Sequence, residues 1–207
     1  MKNVVQYYRQ FDADYALDVP AEGYQGRRTE ELEFDHTKMA LVVVHANDQG
    51  PYESVPGWYR AVEYIPRSHA IMRELFGPLL EEVRAGGMPV VHMAGTPGFH
   101  REYPGYRRAQ ALPKAEEKEP PRIPEDEELR RHRDFRRHYA FPGAHNLVDI
   151  EKGQELMGDF PEWSRPLDGE YVIDDAPTLD AVCRHLGVSH LVYCGFAVNW
   201  CILMSAG

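Results

Sequence analysis

Four short apolar runs do most to fix what this chain can become. Met39-Ala40-Leu41-Val42-Val43-Val44 is unbroken and suits a strand covered on both faces. Met88-Pro89-Val90-Val91-His92-Met93 repeats the pattern, Tyr171-Val172-Ile173 gives a shorter version, and Val188 to Tyr193 supplies another long one. Between the first two, a helix is expected from Ser68 or His69, with Ile71, Leu75, Leu79 and Val83 beside Met72, Phe76 and Leu80 on a broad apolar face. Gly77-Pro78 predicts a kink in it, and Gly86-Gly87 its end. Strand, helix, strand at this spacing means a right-handed parallel unit. Leu179, Val182, Cys183 and Leu186 stripe a second helix that Gly187 stops. The expected fold is an α/β sandwich on a mostly parallel sheet.

In such a sheet, ligands bind beyond the carboxyl ends of the strands. His45 and Asp48 stand there after the first run, Asp174 and Asp175 after the third, and Cys201 follows the last. After Cys194 and Gly195, a short turn reaches Asn199, which reads as the N-cap of a helix beginning Trp200-Cys201-Ile202. That helix end would favour a thiolate at Cys201, and its N–H groups would stabilise an oxyanion. Thiol, imidazole and carboxylate are the parts of an assisted nucleophile. Each has a plainer alternative: Cys201 as a small buried hydrophobe, His45 as a hydrogen-bonded core histidine, Asp174 or Asp175 as a turn residue. Cys183 and Cys194 read as core. Trp58 and Tyr59, in a proline-bearing aromatic loop from Pro51 to Arg67, wall a pocket or seal a core or subunit interface.

At 207 residues the chain makes one sizeable domain, expected at 38–207, behind a polar, tyrosine-rich arm at 1–37 that carries Pro20, Gly23 and Gly26 without a sustained period. From about 101 to 165 the domain is interrupted by a charged, proline-rich insertion, with Pro113, Pro120, Pro121 and Pro124 bracketing a mobile linker and a helix from Glu125 to His138. Phe141 to Asn146 reads as a further loop. The five arginines of that helix read as a solvated or interface face, because Lys plus Arg of 23 against Asp plus Glu of 33 leaves the chain at −10. Nucleic acid and anionic membrane are disfavoured as partners. Three cysteines without paired spacing argue for a reducing compartment, and with no apolar leader or spanning run the expected location is cytoplasmic.

Ala40-Leu41-Val42-Val43-Val44-His45-Ala46-Asn47-Asp48 resembles the first-strand motif of the isochorismatase-like cysteine hydrolases. Gly195-Phe196-Ala197-Val198-Asn199-Trp200-Cys201-Ile202-Leu203-Met204-Ser205-Ala206 resembles their nucleophile motif, with Cys201 at the nucleophile position. The resemblance runs from about Met39 to the end, the charged middle apart. It implies a three-layer α/β/α sandwich, assembly as a homodimer or homotetramer, and hydrolysis of a small amide, carbamoyl compound or vinyl ether through a covalent step. It also implies an oxyanion near the N–H groups of Ala197 or Val198 and of Cys201, beside a cis peptide in Phe196 to Val198. The pattern departs at two places: His45 stands where the family has aspartate, and the lysine's place falls near Asp174, with no lysine after Gly153. The expected set is therefore Cys201 with His45 and either Asp174 or Asp48, with Ala197, Val198, Trp58, Tyr59 and His92 at the substrate. The other reading is a non-catalytic relative that works by small-molecule binding or assembly. His92 and His100 lie where some branches bind zinc, but the remaining spacing is missing, and neither metal nor cofactor is expected. The sequence stops about a turn and a half past Cys201, before the further strand the resemblance implies, so a longer natural product is expected.

Overall fold

The structure, a computed structural model, describes residues 2–8, 16–19, 27–95, 98–115 and 124–203. Pro20, Gly23, Gly26, Pro97, Pro120, Pro121 and the end from Met204 lie outside the described residues. Two compact units emerge, Met1–Lys38 and Met39–Gly207. In the first, β1 (Lys2–Tyr8) and β2 (Arg27–Glu33) pair antiparallel, with Lys2 opposite Glu33 and Tyr8 opposite Arg27. Every residue of β2 is exposed, so no buried face imprints a period of two on the sequence, and the pairing was not legible there.

The second unit holds a four-stranded sheet of β3 (Met39–Val44), β4 (Val90–Met93), β5 (Tyr171–Ile173) and β6 (His190–Gly195). Its order is β5-β4-β3-β6 and every pair is parallel. The chain steps outward from β3 to β4 and β5, then returns to β6 on the other side of β3. That reversal makes a topological switch point where β3 and β6 end.

Apolar residues alternate between the two faces of β3. Leu41 and Val43 pack with Met72, Phe76 and Leu80, whereas Val42 and Val44 pack with Ala109, Leu179 and Val182. Helices thus cover both faces of the sheet, giving three layers. On the first face lie α2 (Ile65–Ile71), a π-helical turn at Met72–Phe76, and α3 (Gly77–Ala85). Pro78 explains the widened turn, because its ring would strike the carbonyl four residues back and it has no N–H to offer. The Gly77 N–H reaches the Met72 carbonyl instead. Met72, Phe76 and Leu80 are the buried residues of this face, with Ile71 and Val83 packed against the same cluster, whereas the expected partners Leu75 and Leu79 are exposed.

On the second face lie α4 (Pro104–Gln110) and α7 (Ala176–Leu186). Asp175 is the N-cap of α7, its carboxylate accepting from the Thr178 N–H at 2.7 Å, and Gly187 ends the helix in the left-handed conformation. The stretch read as loop from Pro51 to Arg67 contains α1 (Pro56–Ala61) and the start of α2. Trp58 belongs to the core there, packed with Val55, Val62 and Ile65. The segment from 101 to 165 is only in part an excursion: Ala109, Phe160 and Ser164 are fully buried. Within it, α5 (Glu127–Tyr139) starts from an Asp126 cap and buries none of its residues. After the Phe141 to Asn146 loop, α6 (Leu147–Leu156) was not anticipated. Among the described residues no helix is long and apolar enough to cross a membrane.

Candidate active site

The carboxyl ends of β3, β4 and β5 open into a cleft of about 380 Å³, lined by His45, Ala94, Gly95, Gly98, His100, Arg101 and Asp174. His45 ends β3 with φ 49°, and its N–H donates to the Met93 carbonyl at 2.9 Å. Its ring lies against Gly95, where a Cβ would come within 3.4 Å of Cδ2. Burial pushes the His45 imidazole below its ordinary range, partly offset by a hydrogen bond to the Phe196 carbonyl. The ring is therefore neutral near pH 7, with one nitrogen able to accept a proton.

Asp174 faces the same cleft, with a different partner from the one expected. Its Oδ2 accepts from His100 Nε2 at 3.1 Å and from the Tyr106 hydroxyl at 3.2 Å, and Oδ1 from Gln110 Nε2 at 3.5 Å. The imidazole that a carboxylate orients in this cleft is thus His100, not His45. Asp175, the other acid considered, serves the helix cap. His100 and Arg101 were not anticipated in this site. The signal available was the one that pointed to His45: both follow a buried strand at its carboxyl end, on the short turn Phe99–Glu102.

The segment bearing Cys201 leaves β6 beside His45. Phe196 donates its N–H to the Val44 carbonyl at 3.0 Å, and its ring stacks between Tyr64 at 4.9 Å and Phe76 at 5.5 Å. The Phe196–Ala197 peptide is cis. Val198–Ile202 then forms a π-helical turn, with the N–H groups of Trp200 and Ile202 both donating to the Ala197 carbonyl at 3.1 Å. Ala197, not Asn199, takes the cap position, and no side chain caps it. The wider turn begins two residues earlier than the expected helix, which puts Asn199 inside it.

Cys201 is half-buried against the cluster of Val42, Val44, Ile173 and Leu179. Tyr64 lies within electrostatic reach: its hydroxyl is pushed up to about 12, by burial first and then by its neighbour Cys201. A smaller cavity of about 100 Å³ sits beside this turn, lined by Ala61, Val62, Glu63, Tyr64, Ala197, Asn199 and Trp200. Cys201 itself is not among the residues lining the larger cleft. No cysteine among the described residues is in a disulfide.

The remaining candidates stand elsewhere. Asp48 accepts from the Gly50 N–H at 2.9 Å and pairs with His69 at 3.1 Å. Tyr59 donates its hydroxyl to the Gly50 carbonyl at 2.6 Å, and Val198 is exposed. His92 is fully buried and pairs through Nε2 with Glu170 at 2.9 Å, which in turn holds Arg84 at 2.6 and 2.9 Å. Burial pushes His92 down, so it donates to Glu170 as a neutral ring and Arg84 balances the carboxylate. Among the described residues no group of three or more His, Cys, Asp and Glu side chains is gathered for a metal ion.

The crystal structure of a cysteine hydrolase from Pseudomonas syringae pv. phaseolicola 1448A is similar to this chain at a TM-score of 0.38 and 12% identity, over 81% of this chain. The match spans 63% of the length of that protein. No protein-family model matches the chain, and no curated protein matches it.

Proposed function

We propose that this protein is an isochorismatase-like cysteine hydrolase of small amide, carbamoyl or ester substrates, with Cys201 as nucleophile. The observation that carries the reading is the junction of β3 and β6, where the Phe196 N–H donates to the Val44 carbonyl at 3.0 Å, next to His45. It ties a neutral imidazole at the end of β3 to the segment that leads directly into the Cys201 turn, at the switch point of the sheet. In the first step the Cys201 sulfur bonds to the substrate carbonyl carbon, and the thiol proton passes to imidazole. The oxyanion is held by backbone N–H groups at the start of the turn, from Ala197 or Val198 and Cys201. Collapse breaks the bond to the leaving group, which takes the proton from imidazole. Water then hydrolyses the acyl-thioester with imidazole as base, restoring the thiol. His45 manages the proton, and the Asp174–His100 pair provides a second oriented imidazole in the cleft that His45 lines.

A panel of nitrophenyl esters and small primary amides tests this. Cys201→Ala should lower turnover roughly a thousandfold or more, the scale seen when a nucleophile is removed. Turnover unchanged in that variant would overturn the assignment. The position of Cys201 outside the lining of the larger cleft favours a second reading, a binding protein without turnover. Ligand binding with no hydrolysis by the wild type would select it.

A further inference from the structure

We propose that α5 is a dimerisation helix, packing antiparallel against the α5 of a second copy of this chain across a two-fold axis. None of its 13 residues is buried, yet Leu129, Phe135 and Tyr139 stand 50%, 64% and 78% exposed along it. Glu128, His132, Phe135 and Tyr139 follow one another at steps of four, three and four residues, which sets them in one row, with Leu129 and Arg136 beside it. The Phe135 and Tyr139 rings already meet, their centroids 4.8 Å apart. The helix is held to its own unit by the other side. Arg137 pairs with Glu151 of α6 at 2.6 Å and is the one half-buried residue of the helix. It lies two residues from both Phe135 and Tyr139, about half a turn around, so the row faces away from the packed side.

The charges say what covers the row. Glu125, Asp126, Glu127 and Glu128 gather at the start of the helix, and Arg136, Arg137 and His138 at its end. That polarity suits the helix dipole, and it also makes the surface complementary to itself turned end for end. A two-fold axis through the middle of the row lays each acidic start beside the other's basic end and brings the two apolar rows together, whereas a parallel pairing would set like charges side by side. Glu125 is paired with Arg133, but Glu128 and Arg136 have no ion-pair partner among the described residues. An anionic partner would be drawn to the arginines but would also meet the acids at the start of the helix, on a chain with a formal charge of −10. A helix of this length spans about 20 Å, too little for a dimer contact of roughly 800 Å² from each partner. The surface continues beyond it: Phe141, just after α5, sits edge-on to Trp200 at 5.2 Å, which joins the row to the exposed Val198 and Leu203 at the Cys201 turn.

The test is sedimentation of the full chain at high micromolar concentration, the wild type beside charge-reversed variants. The wild type should run as a dimer, about twice the 23.8 kDa of one chain. Glu128→Arg and Arg136→Glu should each weaken it about tenfold, because each change enters a two-fold contact twice and sets like charges facing. Combined in one chain they should restore it, since both ends then change sign together. Damage to the helix itself would instead accumulate in the double variant, as both changes oppose the dipole. A short bismaleimide gives an independent reading: it should join two chains of His132→Cys but not two of Asp134→Cys, which lies on the far side of the helix, with the wild type setting the background from the native cysteines. All four substituted residues are exposed, so circular dichroism of the variants should match the wild type. A monomeric wild type, a dimer indifferent to the single reversals, a double variant weaker than either, or Asp134→Cys joined as readily as His132→Cys would overturn the proposal. None of these readings requires turnover, so they are independent of whether Cys201 is a nucleophile.

Discussion

Gly195 stands where β6 comes closest to β3. Its φ is +135°, and a Cβ built there would lie 2.1 Å from the Val44 carbonyl oxygen and 2.7 Å from the Val44 nitrogen. Both obstacles are backbone of the central strand, so neither can swing away as a side chain would. The approach has a purpose: with no side chain between them, the ends of β3 and β6 close up, the Phe196 N–H donates to the Val44 carbonyl at 3.0 Å, and Phe196 is brought beside His45. Gly195→Ala should therefore cost about 3 kcal/mol or more, combining a strained backbone with a steric clash. Urea unfolding followed by circular dichroism would show it as a lowered midpoint. A midpoint equal to wild type would mean that the strand ends separate easily, and the proposed coupling of His45 to the Cys201 turn would go with it. His45 itself was legible in the sequence because it follows a run of buried apolar residues. Arg101 was less so, because it lies eight residues past the end of its strand, on a turn whose own marker is Gly98, one glycine among several in a proline-bearing stretch.

Strands and helices were legible where burial is two-sided or strictly periodic. β3 and β4 are buried along almost their whole length, and α7 carries its stripe between an aspartate cap and a glycine stop. Legibility failed where the ladder of hydrogen bonds, not the apolar pattern, sets the shape. The π-helical turns at Met72–Phe76 and Val198–Ile202 change which residues share a face or cap an end. The approach to β5 is secured by chemistry no pattern displays. Burial alone would raise the Glu170 carboxyl, but hydrogen bonds from His92, Arg84 and the Leu167 N–H outweigh it and hold the group at about 2 against an ordinary 4.5. A carboxyl depressed on folding stabilises the fold above its unfolded value, and the contribution drains away as pH falls from 4.5 toward 2. Its side chain is only 11% exposed, so solvent screens the effect little. Glu170→Gln should then be less stable than wild type by on the order of 3 kcal/mol near neutral pH, with the gap closing in acid. Denaturant titrations of both proteins across that range would check it. A gap that stays constant with pH would mean the triad acts by packing alone.

Within the second unit, among the described residues, one edge of the sheet is covered and the other is not. β5 closes one side with α4 pressed against it so closely that a Cβ on Gly105 would meet the Glu170 carbonyl oxygen at 2.3 Å. β6 is the other edge, and along it and the turn that follows, Val192, Val198, Trp200 and Leu203 are 42%, 65%, 37% and 75% exposed. An edge strand with a row of apolar side chains beside it is a template for pairing unless something blocks it. Charged residues, the usual block, are missing from Leu191 to Leu203. We propose that a second copy of the chain covers this edge, giving a homodimer whose contact includes the Cys201 turn. Sedimentation at high micromolar concentration should then report about twice the 23.8 kDa of one chain. Leu203→Asp places an unpaired charge in the contact and should weaken association by about tenfold or more without unfolding the sheet, since the core clusters lie elsewhere. A wild type that sediments as a monomer, or a Leu203→Asp dimer as tight as the parent, would show that this edge is tolerated bare. A dimer that dissociates on substitution would place a symmetric partner beside the proposed nucleophile and make assembly a condition of the site's shape.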